Sequence, residues 1–170
     1  MEKLYFMRHG LSQLNVERRF AGTVDTPLTS EGEAQARIAA EKAKQLNIDR
    51  IVSSPLSRAH ETAKIIAKVI GYPEDRIELN PLLAERSYGA MEGELWSPDI
   101  DMDGIADIET TDSLLARADE ALDSLRQIKA DNVLVVSHGS IGRAIRHHLL
   151  KDFPYKAEER LPNAEIVQWI

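Results

Sequence analysis

The chain has 170 residues, no cysteine and a formal net charge of −7 at pH 7. A chain of this length can bury about 70% of its unfolded surface, so we expect a single domain over residues 1–170 that needs neither disulfides nor thiolate metal sites. Its negative charge disfavours nucleic acid and anionic membranes, and no apolar run reaches membrane-spanning length. We therefore expect a cytoplasmic protein.

Residues 4–10 read Leu-Tyr-Phe-Met-Arg-His-Gly and predict a buried strand that ends by presenting two polar side chains. Arg8 offers a planar fork of donors for a phosphate or carboxylate, and His9 offers a ring nitrogen that titrates near neutral pH. Gly10 lets the backbone turn sharply after them. The stretch predicts an anion site that contains a nucleophile or a base.

Strand and helix patterns alternate along the rest of the chain, which predicts an α/β fold with a largely parallel sheet. Residues 11–20 are polar and predict a loop or short helix. Thr29 or Ser30 can cap a helix that runs to about residue 46, and residues 48–53 predict the second strand.

The next helix is predicted to have Ser54 as its N-cap, Pro55 at its first position and Gly71 as its C-cap. A short strand is expected at 76–79, irregular structure at 81–112 and a helix at 114–128. A last strand is expected at 164–170.

A second strand pattern, residues 133–136, also runs into a histidine and a glycine, His138-Gly139. In a parallel sheet both strands end at the same edge, so we expect His9 and His138 to meet there. Arg58, near the start of the helix after the second strand, is expected at that edge too. The sequence therefore predicts a phosphate pocket.

Five motifs then follow one another along the chain. They are Arg8-His9-Gly10 with Asn15, Pro27-Leu28-Thr29 with Gly32, Ser53-Ser54-Pro55-Leu56-Ser57-Arg58-Ala59 with Thr62-Ala63, Glu85 with Gly89 and Glu92-Gly93, and Ser137-His138-Gly139. The order and spacing of these motifs resemble those of the histidine phosphatase superfamily, which is also called phosphoglycerate mutase-like. The resemblance implies a three-layer α/β/α sandwich with a mostly parallel central sheet.

The resemblance also implies a role for each matching residue. His9 would be the nucleophile that forms a phosphohistidine, which water later hydrolyses without a metal or cofactor. Arg8, Arg58 and His138 would hold the phosphoryl oxygens, and Glu85 would protonate the leaving oxygen. The remaining residues expected to bind substrate or phosphate are Asn15, Gly22, Tyr88 and Gly139. His60, His147 and His148 match no part of the pattern.

Glu92 and Glu94, which lie near Glu85 in the sequence, are alternative candidates for the acid. Residues 94–112 form a short acidic insertion with seven carboxylates and no lysine or arginine. Arg86 and Tyr88 resemble the mutase pattern beside the acid, but further basic residues are missing here. We therefore expect a phosphoglycerate to be repelled, and we favour a phosphatase over a mutase.

Two further readings of the acidic insertion stay open. Trp96, Met102 and Ile105 could line an apolar mouth of the pocket. Residues 99–104 copy the first half of an EF-hand calcium loop, although Thr110 stands where the bidentate glutamate should be and Pro98 where a helix should enter.

The leading hypothesis is a metal-independent phosphatase that acts on a small phosphorylated molecule, in a chain that could form a homodimer. The alternatives are a phosphoglycerate mutase that depends on a bisphosphorylated primer, a phosphoprotein (phosphohistidine) phosphatase, and a non-catalytic module that binds a phosphorylated ligand.

Overall fold

The computed structural model describes residues 1–97, 99–150, 153–156 and 159–170. In these residues a five-stranded sheet has helices on both faces. The strands are β1 (Lys3–Arg8), β2 (Arg50–Ser53), β3 (Glu78–Leu79), β4 (Asn132–Ser137) and β5 (Ile166–Gln168). The helices are α1 (Gln13–Val16), α2 (Ser30–Ala43), α3 (Ser57–Ile70), α4 (Thr111–Arg126) and α5 (Gly139–Leu149).

The strands lie in the order β3-β2-β4-β1-β5. Neighbouring strands are parallel except for β5, which runs antiparallel to β1. This confirms the predicted α/β fold with a mostly parallel sheet. Arg8 lies opposite Ser137 in the register of β1 and β4, so the residues that follow each strand emerge side by side.

Alternating side chains of the central strands divide the core into two halves. In β1, Leu4 and Phe6 face the half that is completed by α4 and α5. Tyr5 and Met7 face the half completed by α2 and α3, as the period of two in a strand requires. The three-layer α/β/α arrangement implied by the resemblance is therefore confirmed.

The ends of two helices follow local chemistry that the sequence predicts. The Thr29 hydroxyl caps α2 by accepting a hydrogen bond from Gly32 N at 3.0 Å. Gly71 ends α3 with φ of +75°, a left-handed conformation that favours glycine. Helix α2 stops at Ala43, short of the expected residue 46.

The predicted start of α3 was wrong. Its N-cap is Leu56 and its first residue is Ser57, three residues after the expected cap. Ser54 N instead donates to Val136 O at 3.0 Å, so Ser54 continues the hydrogen bonding between β2 and β4. Ladder pairing with β4 therefore delays the helix beyond Pro55.

The expected irregular region at 81–112 contains short 3₁₀ helices at Pro81–Leu83, Gly89–Met91 and Met102–Gly104, and α4 begins just before its end. Across the described ranges, no helix combines the length and the apolar character needed to span a membrane.

Candidate active site

A cavity of about 190 Å³ lies at the carboxyl edge of the sheet, where β1 and β4 end. The rings of His9 and His138 are 5.1 Å apart between centroids and inclined at 62°. The parallel pairing of β1 with β4 thus brings together two histidines that are 129 residues apart in the chain. The meeting of these two rings, which the strand pattern predicts, is confirmed.

His9 is buried and has one hydrogen-bonding partner on each side of its ring. Nδ1 lies 2.6 Å from Gly10 O, and Arg58 Nε lies 3.3 Å from Nε2. A carbonyl oxygen can only accept and an arginine N–H can only donate, so Nδ1 carries the proton and Nε2 carries the lone pair. Burial, helped by the charges of Arg58 and Arg8, holds the pKa of His9 well below its ordinary value. This is the neutral, nucleophilic form of the ring.

Arg58 lies in the first turn of α3 and is almost completely buried. Its Nη1 donates to Val24 O at 2.8 Å and its Nη2 to Gly22 O at 2.7 Å. Gly22 has φ of +50°, and a Cβ there would collide with the Glu92 carboxylate. The loop at 22–24 therefore orients the guanidinium that contacts His9.

Arg8 borders the cavity from the end of β1. Its Nη1 donates to Leu161 O at 2.8 Å, whereas its buried Nε has no hydrogen-bond partner among the described residues. A buried donor without a partner is costly, so this group is suited to an acceptor that enters the cavity. Asn163 Nδ2, 2.8 Å from His9 O, secures the same strand end.

His138 is fully buried, and its ring packs edge-on against the ring of His9, which lines the cavity. Its Nε2 is 2.7 Å from Ser54 Oγ, and its Nδ1 has no partner in the described part of the chain. Burial is the main cause that lowers the pKa of His138 well below its ordinary value, and the Arg58 charge acts in the same direction.

Glu85 is the residue that the sequence predicts as the acid of the site. It lines the cavity and accepts hydrogen bonds from Ser140 N at 3.0 Å and Ile141 N at 3.1 Å, in the first turn of α5. The rival Glu92 accepts from Thr23 N and Tyr88 N and does not line the cavity, and neither does Glu94. Geometry therefore favours Glu85 among the three.

The other expected binding residues, Asn15, Gly22, Tyr88 and Gly139, all line the cavity. Tyr88 is joined to the wall by a 2.8 Å hydrogen bond between its hydroxyl and Ser140 Oγ. Burial and the charge of Glu85 raise the pKa of Tyr88 to about 12, which keeps the phenol protonated at neutral pH. Asn15 uses Oδ1 to accept from Ser12 N, so its amide nitrogen remains to donate.

Four lining arginines were missed by sequence reasoning: Arg18, Arg19, Arg143 and Arg160. Arg143 Nη2 donates to Ser140 Oγ at 3.1 Å, and the Arg160 guanidinium lies 4.4 Å from the centre of the Trp96 ring. Of these four, only Arg143 could have been predicted from the sequence, because it lies one turn into the helix that begins at Gly139. Arg18 and Arg19 lie in the segment after α1, and Arg160 lies between α5 and β5.

The acidic insertion, which was expected to repel a phosphoglycerate, contributes little to the wall of the cavity. Among its described residues, only Trp96 lines the cavity. Asp103 accepts from Arg86 Nη2 at 3.1 Å, and Glu109 forms a two-point ion pair with Arg117. Two of the carboxylates are thus paired away from the cavity.

The two other predictions for the insertion were an apolar mouth of the pocket and a calcium loop. Trp96 borders the cavity and Ile105 does not, while Pro98 and the Met102 side chain lie outside the described residues. Asp101 accepts from Asp103 N, and Asp103 also accepts from Thr111 N. Within the described ranges no three His, Asp or Glu side chains converge as a metal-binding group.

Two histidines and two arginines meet at one edge of the sheet, an arrangement suited to binding a phosphate group. Comparison with known proteins identifies the family. The profile of the Histidine phosphatase superfamily (branch 1) matches residues 4–168. The chain belongs to this superfamily, whose members are mutases and phosphatases.

Curated relatives and solved structures carry names from both activities. A probable phosphoglycerate mutase GpmB of Enterobacter sp. (strain 638) is 38% identical over 176 residues, which cover 95% of this chain and 80% of the relative. A mycobacterial glucosyl-3-phosphoglycerate phosphatase has a TM-score of 0.82 at 28% identity and covers 99% and 90% of the two chains. Bacillus stearothermophilus YhfR has a TM-score of 0.86 at 26% identity, with the same coverage.

Proposed function

We propose that the protein is a metal-independent phosphatase that hydrolyses small phosphomonoesters through a phosphohistidine on His9. The observation that carries this proposal is the state of the His9 ring. It is buried, neutral and held with a lone pair on Nε2, next to the guanidinium of Arg58. A lone pair placed among positive charges suits attack on an anionic phosphoryl group.

The reaction divides into two displacements. In the first, Nε2 of His9 forms a bond to phosphorus while the bond to the leaving oxygen breaks, and Glu85 gives that oxygen a proton. In the second, water attacks the phosphohistidine, Glu85 takes a proton from the water, and the P–N bond breaks to release inorganic phosphate. Such splitting of one hard step into two easier ones is the logic of covalent catalysis.

Charge on the phosphoryl oxygens is offset by the groups around the cavity. Arg58 lies beside the nucleophile, and Arg8 Nε and His138 Nδ1, which have no partner among the described residues, complete the set. Asn15, Gly22, Tyr88 and Gly139 border the same space. Positioning and charge stabilisation of this kind supply most of the catalysis in phosphoryl transfer.

The test is hydrolysis of 4-nitrophenyl phosphate in buffer that contains a chelator. We expect His9→Ala to lower kcat/KM by about 1,000-fold or more, because the nucleophile is lost. His60→Ala is the control, since His60 lies on α3 and does not line the cavity. Full turnover by His9→Ala would reject the mechanism.

A phosphoglycerate mutase is the second candidate, and the arginines around the cavity favour it. Arg18, Arg19 and Arg160 would hold the carboxylate of a phosphoglycerate, and one relative named above is a probable phosphoglycerate mutase. A coupled assay with a bisphosphorylated primer separates the two activities. Isomerisation that outruns phosphate release would assign the chain to the mutases.

A further inference from the structure

The Ser54 hydroxyl has no role as the cap of α3, because that helix begins three residues later. Ser54 is completely buried at the end of β2 and lies against the fully buried ring of His138. It therefore connects one strand end of the sheet to the second histidine.

The hydrogen bonds of this hydroxyl determine where its proton goes. Leu56 N is 3.2 Å from Ser54 Oγ and can only donate, so it occupies one lone pair of the oxygen. The other contact, 2.7 Å long, is with His138 Nε2. The Ser54 proton is paired only if the hydroxyl donates it to this ring nitrogen.

The remaining nitrogen of His138 follows from the same accounting. Because burial lowers its pKa, the ring is neutral at pH 7 and carries a single proton. If Nε2 accepts from Ser54, that proton is on Nδ1, which is buried and has no partner among the described residues. The opposite tautomer would leave the Ser54 proton unpaired and would turn a bare lone pair toward any incoming anion.

We propose that Ser54 is a positioning residue that holds His138 in the Nδ1–H tautomer, so that Nδ1–H donates a hydrogen bond to the phosphoryl group at His9. The inference rests on the proposed function for its phosphoryl acceptor. It gives the two neighbouring imidazoles different tasks: His9 presents a lone pair on Nε2, and His138 presents a proton on Nδ1.

Nitrogen NMR tests the tautomer without relying on turnover. In ¹⁵N-histidine-labelled protein at pH 7.5, we expect the His138 signals, identified by their loss in His138→Gln, to show a protonated Nδ1 and an unprotonated Nε2. Titration with inorganic phosphate should shift the Nδ1–H resonance. In Ser54→Ala the preference for Nδ1–H should be lost, and Ser54→Thr, which keeps the hydroxyl, should restore it.

Kinetics test the consequence of the tautomer. Loss of one oriented donor to the phosphoryl group should lower kcat/KM of Ser54→Ala by about 10- to 100-fold. Ser53→Ala is a matched control, because Ser53 is an equally buried serine whose hydroxyl donates to Ser54 O and not to His138. We expect the control to keep the wild-type tautomer and activity.

The outcomes separate this inference from the proposed function. A wild-type His138 protonated on Nε2, or an Nδ1–H resonance that phosphate does not shift, would overturn the inference even if the enzyme is active. An inactive wild type with the expected tautomer and phosphate shift would refute the phosphatase and leave the role of Ser54 standing. A folded Ser54→Ala variant that keeps the Nδ1–H preference would also overturn it. If Ser54→Ala does not fold, Ser54→Thr and the wild-type spectrum still test the tautomer.

Discussion

Two buried arginines show how partners decide the role of a residue. Arg58 and Arg86 are both almost fully buried. Arg58 lies in the motif of residues 53–59, and Arg86 directly follows Glu85. Arg58 reaches His9, whereas Arg86 donates to Glu109 O at 2.7 Å and to Asp103, away from the cavity. Arg86, which resembles a mutase residue in sequence, therefore secures the acidic insertion and does not border the cavity.

Glu85 carries a prediction that depends on the leaving group. Its side chain accepts hydrogen bonds from backbone N–H groups at the start of α5, and Gln can keep an acceptor there but cannot act as the acid. We expect Glu85→Gln to lower kcat/KM for an alkyl phosphate by about 100-fold or more. The loss for 4-nitrophenyl phosphate should be smaller, because that leaving group needs little protonation.

The comparison of the two substrates is made by steady-state kinetics at a single pH. Glu94→Gln is the control, since Glu94 is an exposed carboxylate of the same region that does not line the cavity. Equal losses on both substrates in Glu85→Gln would argue against a role as the acid.

At the scale of elements, the loop after β1 is joined to two helices. Gly10 N donates to Thr62 Oγ1 of α3 at 3.1 Å, and Thr29 Oγ1, the cap of α2, donates to Leu11 O at 3.2 Å. The helices on one face of the sheet thus hold the backbone that directly follows His9. The loop after β1 is therefore bonded to the N-cap of α2 and to the second turn of α3.

Thr29 carries the prediction for this scale. Thr29→Ala removes both the cap of α2 and the bond to Leu11 O, and should lower the free energy of unfolding by about 1 kcal/mol. Urea denaturation followed by circular dichroism measures the change. Ser30→Ala, at the neighbouring exposed position, should change stability far less; equal losses in the two variants would contradict the capping role.

For the whole molecule, charge is distributed unevenly. The net charge is −7, yet the residues that line the cavity include six arginines, at 8, 18, 19, 58, 143 and 160, against two glutamates, at 85 and 159. Many of the acidic residues lie on helix surfaces or pair with arginines elsewhere. A local field that attracts anions therefore exists inside a molecule whose overall charge repels them.

Stability should fall as the pH is lowered from 7.5 to 5.5. The pKa values of His9 and His138 are well below 6.5 in the folded protein. Below pH 6.5 these rings are therefore protonated in the unfolded chain and still neutral in the folded protein. Each ring then costs about 1.4 kcal/mol of unfolding free energy per pH unit. Urea denaturation at several pH values measures this slope.

His138→Gln should reduce that slope, because it removes one of the two buried rings. Ser53→Ala, which removes no titrating group, should keep it. The carboxyl groups are the same in the wild type and in both variants, so the comparison isolates the contribution of the histidine. An unchanged slope in His138→Gln would mean that this ring already takes up a proton in the folded state.

The amino-acid sequence alone predicted the strands, most helices and the proximity of His9 and His138. Apolar runs that end in His-Gly were enough for that, because parallel strands must end at a common edge. The cap of α2 and the left-handed end of α3 were equally readable, since both depend on a few neighbouring residues.

Only the tertiary structure decided the start of α3, the partners of Ser54 and Arg86, and the basic lining of the cavity. In each case the deciding contact joins residues far apart in the chain: Ser54 with Val136 and His138, Arg86 with Glu109, and Arg160 with Trp96. A local pattern reports which conformations a segment prefers. It does not report which distant groups will compete for its hydrogen bonds and charges, and here that competition sets the chemistry of the site.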